Sequence, residues 1–360
     1  MNLRALEQNL HDWAQELGFQ QLGISDIDLQ QHEKLLERWL ALERHGEMGW
    51  MARHGRRRSR PAALIPGTCS VVSVRMDYFP PRAANAEQVL QSPSLAYISR
   101  YALGRDYHKL LRKRLQALAN RMRDEVGDFG YRVFVDSAPV LEKALAHKAG
   151  LGWIGKHTNV LNKRAGSWFF LGEIYTDLPL SPTAIVAPTN HCGTCTACMD
   201  VCPTRAIVAP YELDARLCIS YLTIELAGPI PVHLRPLIGN RVYGCDDCQL
   251  FCPWNKFAQA TAEDDFSPRH RLDEATLIEL FSWTDEQFLE RTAGSPIRRI
   301  GYERWLRNLA VALGNAPTTS AIVQCLEARL PDLPELPAEH ARWALAQHNR
   351  GKAPTPAHAP

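Results

Sequence analysis

The chain has 360 residues, 46% of them hydrophobic, which is material for one large domain or two to three smaller ones, each with its own core. Its 41 basic and 39 acidic residues leave a formal charge of +2, so bulk charge argues neither for nor against a polyanionic partner and only local clustering can. The N-terminus MNLRALEQNLHDWAQEL lacks an apolar core and no run of about 18 apolar residues occurs, so a soluble cytoplasmic protein is expected.

Leu3, Leu6, Leu10, Trp13 and Leu17 recur at the spacing of one helix face. CSVVSVR at 69–75 and YRVFV at 131–135 read as strands, and between them Leu111, Leu115, Leu118 and Met122 predict a second helix, closed by Gly127. The alternation predicts an α/β (α+β) domain over 1–180. Asp136 follows the second strand and precedes a helix expected to open near Pro139. That is a place for ligand-binding groups in α/β proteins, but helix capping is the commoner use of Asp there. The proline-rich PLSPTAIVAPTNH reads as a linker into a cysteine-rich module over 181–258. Beyond it the pattern is wholly helical. RNLAVALGN at 307–315 and RWALAQHNR at 342–350 resemble each other, which predicts a short helical-repeat (HEAT-like) cap over 259–350, with a disordered tail at 351–360.

Ten cysteines in a cytosolic chain favour metal ligation over disulfides. Cys192, Cys195, Cys198 and Cys202 spell the C-x2-C-x2-C-x3-C-P run of [4Fe-4S] ferredoxins, and Cys245, Cys248 and Cys252 form a second run one cysteine short. In two-cluster ferredoxins the fourth cysteine of each run ligates the other cluster. That rule assigns Cys192, Cys195, Cys198 and Cys252 to cluster 1, and Cys202, Cys245 and Cys248 to cluster 2, with Cys218 as the thiolate that completes it. A pair of zinc sites needs neither the equal gaps nor the prolines, Pro203 and Pro253, that end both runs. Cys69 and Cys325 read as buried core thiols.

VFVDSAPVLEKALAHKAGLGWIGKHTNVL, then GSWFFLGEIYT, CGTCTACMDVCPTRAI, CISYLTIE and YGCDDCQLFCPWN, together resemble the epoxyqueuosine reductases, which catalyse the last step of queuosine biosynthesis in tRNA. The shortened second cysteine run with an extra upstream cysteine belongs to that family's pattern. Its relatives are the reductive dehalogenases, which share a design of cobalamin and two clusters.

The resemblance implies a cobalamin between the first domain and the clusters, electrons passing singly from the clusters, and Asp136 as the proton donor when the epoxide oxygen departs. No DxHxxG signature for a histidine ligand to cobalt is present: Asp106 and His108 of DYHKLL are read as opening the helix that follows. Carried over residue by residue, the family pattern places Arg60, Ser99, Asp136, Lys156, Asn159, Ser167, Ser220, Thr223, Tyr243 and Gly244 around the corrin. For tRNA, the clustered Arg56, Arg57 and Arg58 and a second patch with Arg298 and Arg299 are the candidate phosphate contacts, whereas Tyr302 and Trp305 read as core. An external electron donor of unknown identity and a monomer complete the expectation. Two other readings compete: a corrinoid dehalogenase, which would need no arginine clusters, and a plain electron-transfer protein, which would leave the region before the cysteines unexplained.

Overall fold

The apolar run that follows Cys69 forms a central strand of a four-stranded sheet. In the computed structural model, which describes residues 3–183 and 190–350, the strands are β1 (Gln21–Ser25), β2 (Ser70–Asp77), β3 (Tyr131–Phe134) and β4 (Phe169–Thr176), in the order β1-β2-β4-β3 with every pairing antiparallel. The expected tail and the middle of the expected linker lie outside the described residues. β2 and β4 are buried along their whole length, because the sheet is covered on both faces. One face carries Val72, Val74 and Ile174 and packs against α1 (Leu3–Glu16) and α2 (Tyr107–Val126), which bury Leu6, Leu10, Leu111 and Leu115. The other carries Val71, Phe134 and Tyr175 and is closed by α3 (Glu142–Lys148) through Val140, Ala144 and Leu145.

The described residues divide into two compact units, each discontinuous: residues 3–81, 106–183, 190–216 and 247–266 form the first, and 82–105, 217–246 and 267–350 the second. The first holds the sheet, its helices and most of both cysteine runs. The division follows contacts, and so cuts across the contiguous blocks expected from composition. The second unit is built on α4 (Ile219–Ile224), α5 (Gly301–Asn315), α6 (Ser320–Arg329) and α7 (Glu335–Arg350). The two similar segments fall on α5 and α7, which pack closely: a Cβ at Gly314 would lie 2.9 Å from the Ala344 Cα. Trp305 is fully buried and stacks on Trp283, and the Tyr302 hydroxyl donates to the Trp283 carbonyl, so both aromatics are core as expected. Arg307, also fully buried, donates to the carbonyls of Leu222, Leu226 and Gly228 and fixes the backbone after α4.

Of the two leftover thiols, Cys325 is half-buried against the core of the second unit. Cys69 is a correction: it is exposed at the edge of β2, where its thiol donates to the Asp177 carbonyl.

Candidate active site

Asp136 stands two residues after β3, in the left-handed region at φ 44°. Non-glycine residues enter that region at a cost, Asp and Asn least, so something must hold it there. The Tyr107 hydroxyl donates to its Oδ2 at 2.5 Å, and His108 Nε2 lies 3.2 Å from the same oxygen. Tyr107 is in turn stacked on Phe170 of β4, ring centroids 3.8 Å apart and nearly parallel. The capping role that competed for Asp136 does not apply, since the following helix opens later than expected, at Glu142, with Leu141 at its N-cap.

His108 was expected only to open α2. Asp106 does cap that helix, accepting from the His108 N–H, but the imidazole also bridges two carboxylates, with Nδ1 2.6 Å from Asp106 and Nε2 facing Asp136. Burial alone would lower its pKa, yet the hydrogen bonds to Asp106 and Asp136 outweigh burial and hold it at about 9. At neutral pH Asp136 therefore faces an imidazolium while its side chain stays 46% exposed.

Four of the cysteines wall one cavity of about 320 Å³ in the first unit: Cys192, Cys195, Cys198 and Cys252, with Lys156, His157, His191 and Trp254. They are the four assigned to cluster 1. Burial first, then the neighbouring Cys252, Cys192 and Cys195, push the Cys198 thiol up to about 11; burial likewise raises Cys252. Thiols so crowded are a poor set of free thiolates and a good set of ligands to a cationic centre. The four thiols surround a void, the arrangement that ligands to separate irons of one cluster need. His157 is neutral here, burial and then Lys143 lowering it to about 4. Of the cluster 2 candidates, Cys202 and Cys248 lie in the first unit and Cys218 and Cys245 in the second. The Cys202 sulfur accepts from the Ala206 N–H at 3.2 Å, and Cys218 stands at the N-cap of α4.

The candidate corrin contacts fall into two groups. In the first unit Arg60 is half-exposed and paired with Glu33 at 2.8 Å. Asn159 accepts from Lys143, and buried Ser167 is braced by Gln249 and Asn255. Lys156 is used elsewhere than expected: its ammonium donates to the carbonyls of Gly193 and Cys195, in the loop of the cysteine cavity. In the second unit Ser99, Thr223, Tyr243 and Gly244 come together. Gly244 N–H donates to Thr223 Oγ1, the Ser99 hydroxyl donates to Asp246, and a Cβ on Gly244, at φ 70°, would lie 2.6 Å from the Ser99 Cβ. The Tyr243 hydroxyl is fully buried and donates to the Pro296 carbonyl, a structural use. Ser220 is half-buried beside them, its carbonyl 3.4 Å from the Thr223 hydroxyl.

Of the arginines expected at tRNA, Arg56 and Arg57 are exposed, Arg56 beside Glu37, and so are Arg298 and Arg299, the latter paired with Glu225. Arg58 is a correction. It is 4% exposed and donates to the carbonyls of Trp50 and Met51, so it ties the loop together and presents nothing to a phosphate.

Two family models match: "epoxyqueuosine reductase QueG, DUF1730" over residues 58–137 and "4Fe-4S double cluster binding domain" over 191–255. The chain is 63% identical to the epoxyqueuosine reductase of Pseudomonas aeruginosa, over 95% of this chain and 94% of the relative. It is 58% identical to that of Escherichia coli, over 96% and 90%. Among solved structures it superposes on an epoxyqueuosine reductase from Bacillus subtilis with a catalytic loop swung out of the active site (TM-score 0.86, 27% identity, 96% of this chain and 91% of that one). It also superposes on an epoxyqueuosine reductase solved with an epoxyqueuosine-modified tRNA stem loop (TM-score 0.81, 25% identity, 97% and 100%). A family model on the segment that carries Asp136, another on the segment that carries the cysteine cavity, and close identity along nearly the whole chain agree: the chain belongs to the epoxyqueuosine reductase family.

Proposed function

We propose that this protein reduces the epoxide of epoxyqueuosine, at the wobble position of tRNA, to the alkene of queuosine, with Asp136 delivering a proton to the departing oxygen. The observation that carries the role of Asp136 is its placement: a solvent-facing carboxyl at positive φ, held by Tyr107 and flanked by His108. Tyr107 fixes the carboxyl's direction, and the stack on Phe170 fixes Tyr107.

Two [4Fe-4S] clusters would be held by Cys192, Cys195, Cys198 and Cys252 and by Cys202, Cys218, Cys245 and Cys248. The crowded, raised thiols around the cysteine cavity fit the first of them. Lys156, donating into the same loop, lowers the energetic cost of bringing negative sulfur together. Cobalamin, when bound, would supply the reducing electrons at the epoxide carbon, and Asp136 and Arg60 of the first unit and Ser220 of the second are each open enough to meet such a group. Arg56, Arg57, Arg298 and Arg299 would meet tRNA phosphates, the helical second unit acting as a cap on the anticodon arm while the modified base is extruded. An external reductant feeds the clusters.

Anaerobic purification, absorbance and EPR tests for iron-sulfur and corrinoid, and an assay on epoxyqueuosine-containing tRNA test this reading. Turnover with both cofactors is expected. Clusters without corrinoid uptake would reduce the protein to an electron carrier, and dehalogenation without tRNA turnover would make it a dehalogenase.

A further inference from the structure

Reducing one epoxide to an alkene breaks both C–O bonds, forms one carbon–carbon double bond and releases the oxygen as water, taking up two electrons and two protons. Asp136 has one proton to give. What lies behind it is a second and a third carboxyl. Glu173, in the middle of β4, is 0% exposed, and neither of its oxygens has a hydrogen-bond partner among the described residues. Directly across the sheet stand Ser73 on β2, whose hydroxyl is also buried without a partner, and Phe134 on β3. Glu142 is the first residue of α3, which covers that face; its carboxyl lies within electrostatic range of Glu173 and Asp136 and accepts from the Asp136 backbone N–H.

The other groups facing the three carboxyls are few. Tyr175 comes from β4 with its own hydroxyl unpartnered, Lys143 from α3 with its ammonium on Asn159, and Tyr107 and His108 from α2, both on Asp136 and His108 also on Asp106. None of them pairs with Glu173, and an ionised carboxylate there would be stranded in the sheet. Burial, then the charges of Glu142 and Asp136, accordingly raise Glu173 well above the carboxylate range; burial, then Asp136, raise Glu142 to about 7.

Resting on the epoxide-reductase reading, we propose that Glu173 and Glu142 are a proton reserve behind Asp136, positioning residues that reload it so the second proton follows the first within one turnover. Asp136 gives its proton to the oxygen and becomes a carboxylate; Glu142, a stronger acid than the His108 imidazolium, reprotonates it, and Glu173 reprotonates Glu142. Solvent restores the reserve between turnovers, so protons balance against the two electrons brought by the external reductant.

Infrared spectra of the purified protein, taken from acid to alkaline pH, should hold a carboxylic-acid C=O band at neutral pH that Glu173→Gln removes. In turnover, Glu173→Gln should lower kcat roughly tenfold to a hundredfold, leave KM for the modified tRNA unchanged, and make kcat rise with the concentration of a weak-acid buffer, which the wild type ignores. A wild type without that band overturns the reserve, as does a folded Glu173→Gln protein with unchanged, buffer-independent kcat. Should that variant not fold, Glu142→Gln undergoes the same kinetic test, and the wild-type band still decides. A wild type that shows the band but never reduces the epoxide counts against the functional reading instead.

Discussion

Asp136 and His108 can be separated experimentally because they differ in what holds them. The φ of 44° tolerates Asn as it does Asp, so Asp136→Asn should fold normally while turnover falls at least about a hundredfold, as loss of a general acid does. A thermal melt beside the tRNA assay checks both halves. For His108 the raised pKa fixes a sign. The imidazolium's pairing with Asp106 and Asp136 is fully present below the ordinary value of 6.5 and is lost as pH rises through about 9. Denaturant unfolding of wild type and His108→Gln should therefore diverge at neutral pH and converge above pH 9; curves that run parallel across that range would mean the imidazole is not charged. Asp136 is singled out by the family motif, whereas the argument from its place after a strand rests on a rule for parallel sheets, and this sheet is antiparallel. The bridging role of His108 was not legible: DYHKLL announces a capped helix and nothing in it names a partner at residue 136.

At the scale of elements, β1 approaches the turn after α3 so closely that a Cβ at Gly23 would lie 1.9 Å from the Ala149 carbonyl oxygen. Backbone cannot yield as a flexible side chain does. Gly23→Ala should cost about 1–3 kcal/mol, read as a lower denaturant midpoint with an unchanged slope, despite the better strand propensity of Ala. The two strands and two helices expected from the sequence all form, within a few residues of their expected ends, and Gly127 closes α2 at φ 85°. β1 and β4 were not legible as strands. β4 is buried on both faces, so FFLGEIYT shows no alternation, and Glu173 within it reads as a surface residue until the sheet closes over it. That Cys192, Cys195, Cys198 and Cys252 share one cavity was legible, because ligand spacing is a local rule and the grouping of Cys252 with the first run follows from which way the loop turns.

For the whole molecule, the interleaving of the two units was beyond reach of a reading that takes the chain in contiguous blocks, since composition is blind to a chain that leaves one unit and returns to it. The balance of charge was legible, and it sharpens the test of tRNA binding. With a net +2, affinity for a polyanion must come from a few exposed arginines and must fall with salt in proportion to the phosphates they meet. The run at residues 56–58 looks uniform in sequence but divides in structure: Arg56 and Arg57 face solvent, while Arg58 is committed to the Trp50 and Met51 carbonyls. Replacing Arg56 and Arg57 by Ala should weaken tRNA binding and reduce the slope of log affinity against log salt by roughly one to two, with the melting temperature unchanged. Arg58→Ala should do the reverse, lowering the melting temperature while the salt slope holds. Binding isotherms at several salt concentrations, with a melt for each variant, decide between this division and a run that acts as one patch; equal loss of slope in both variants would make it one patch.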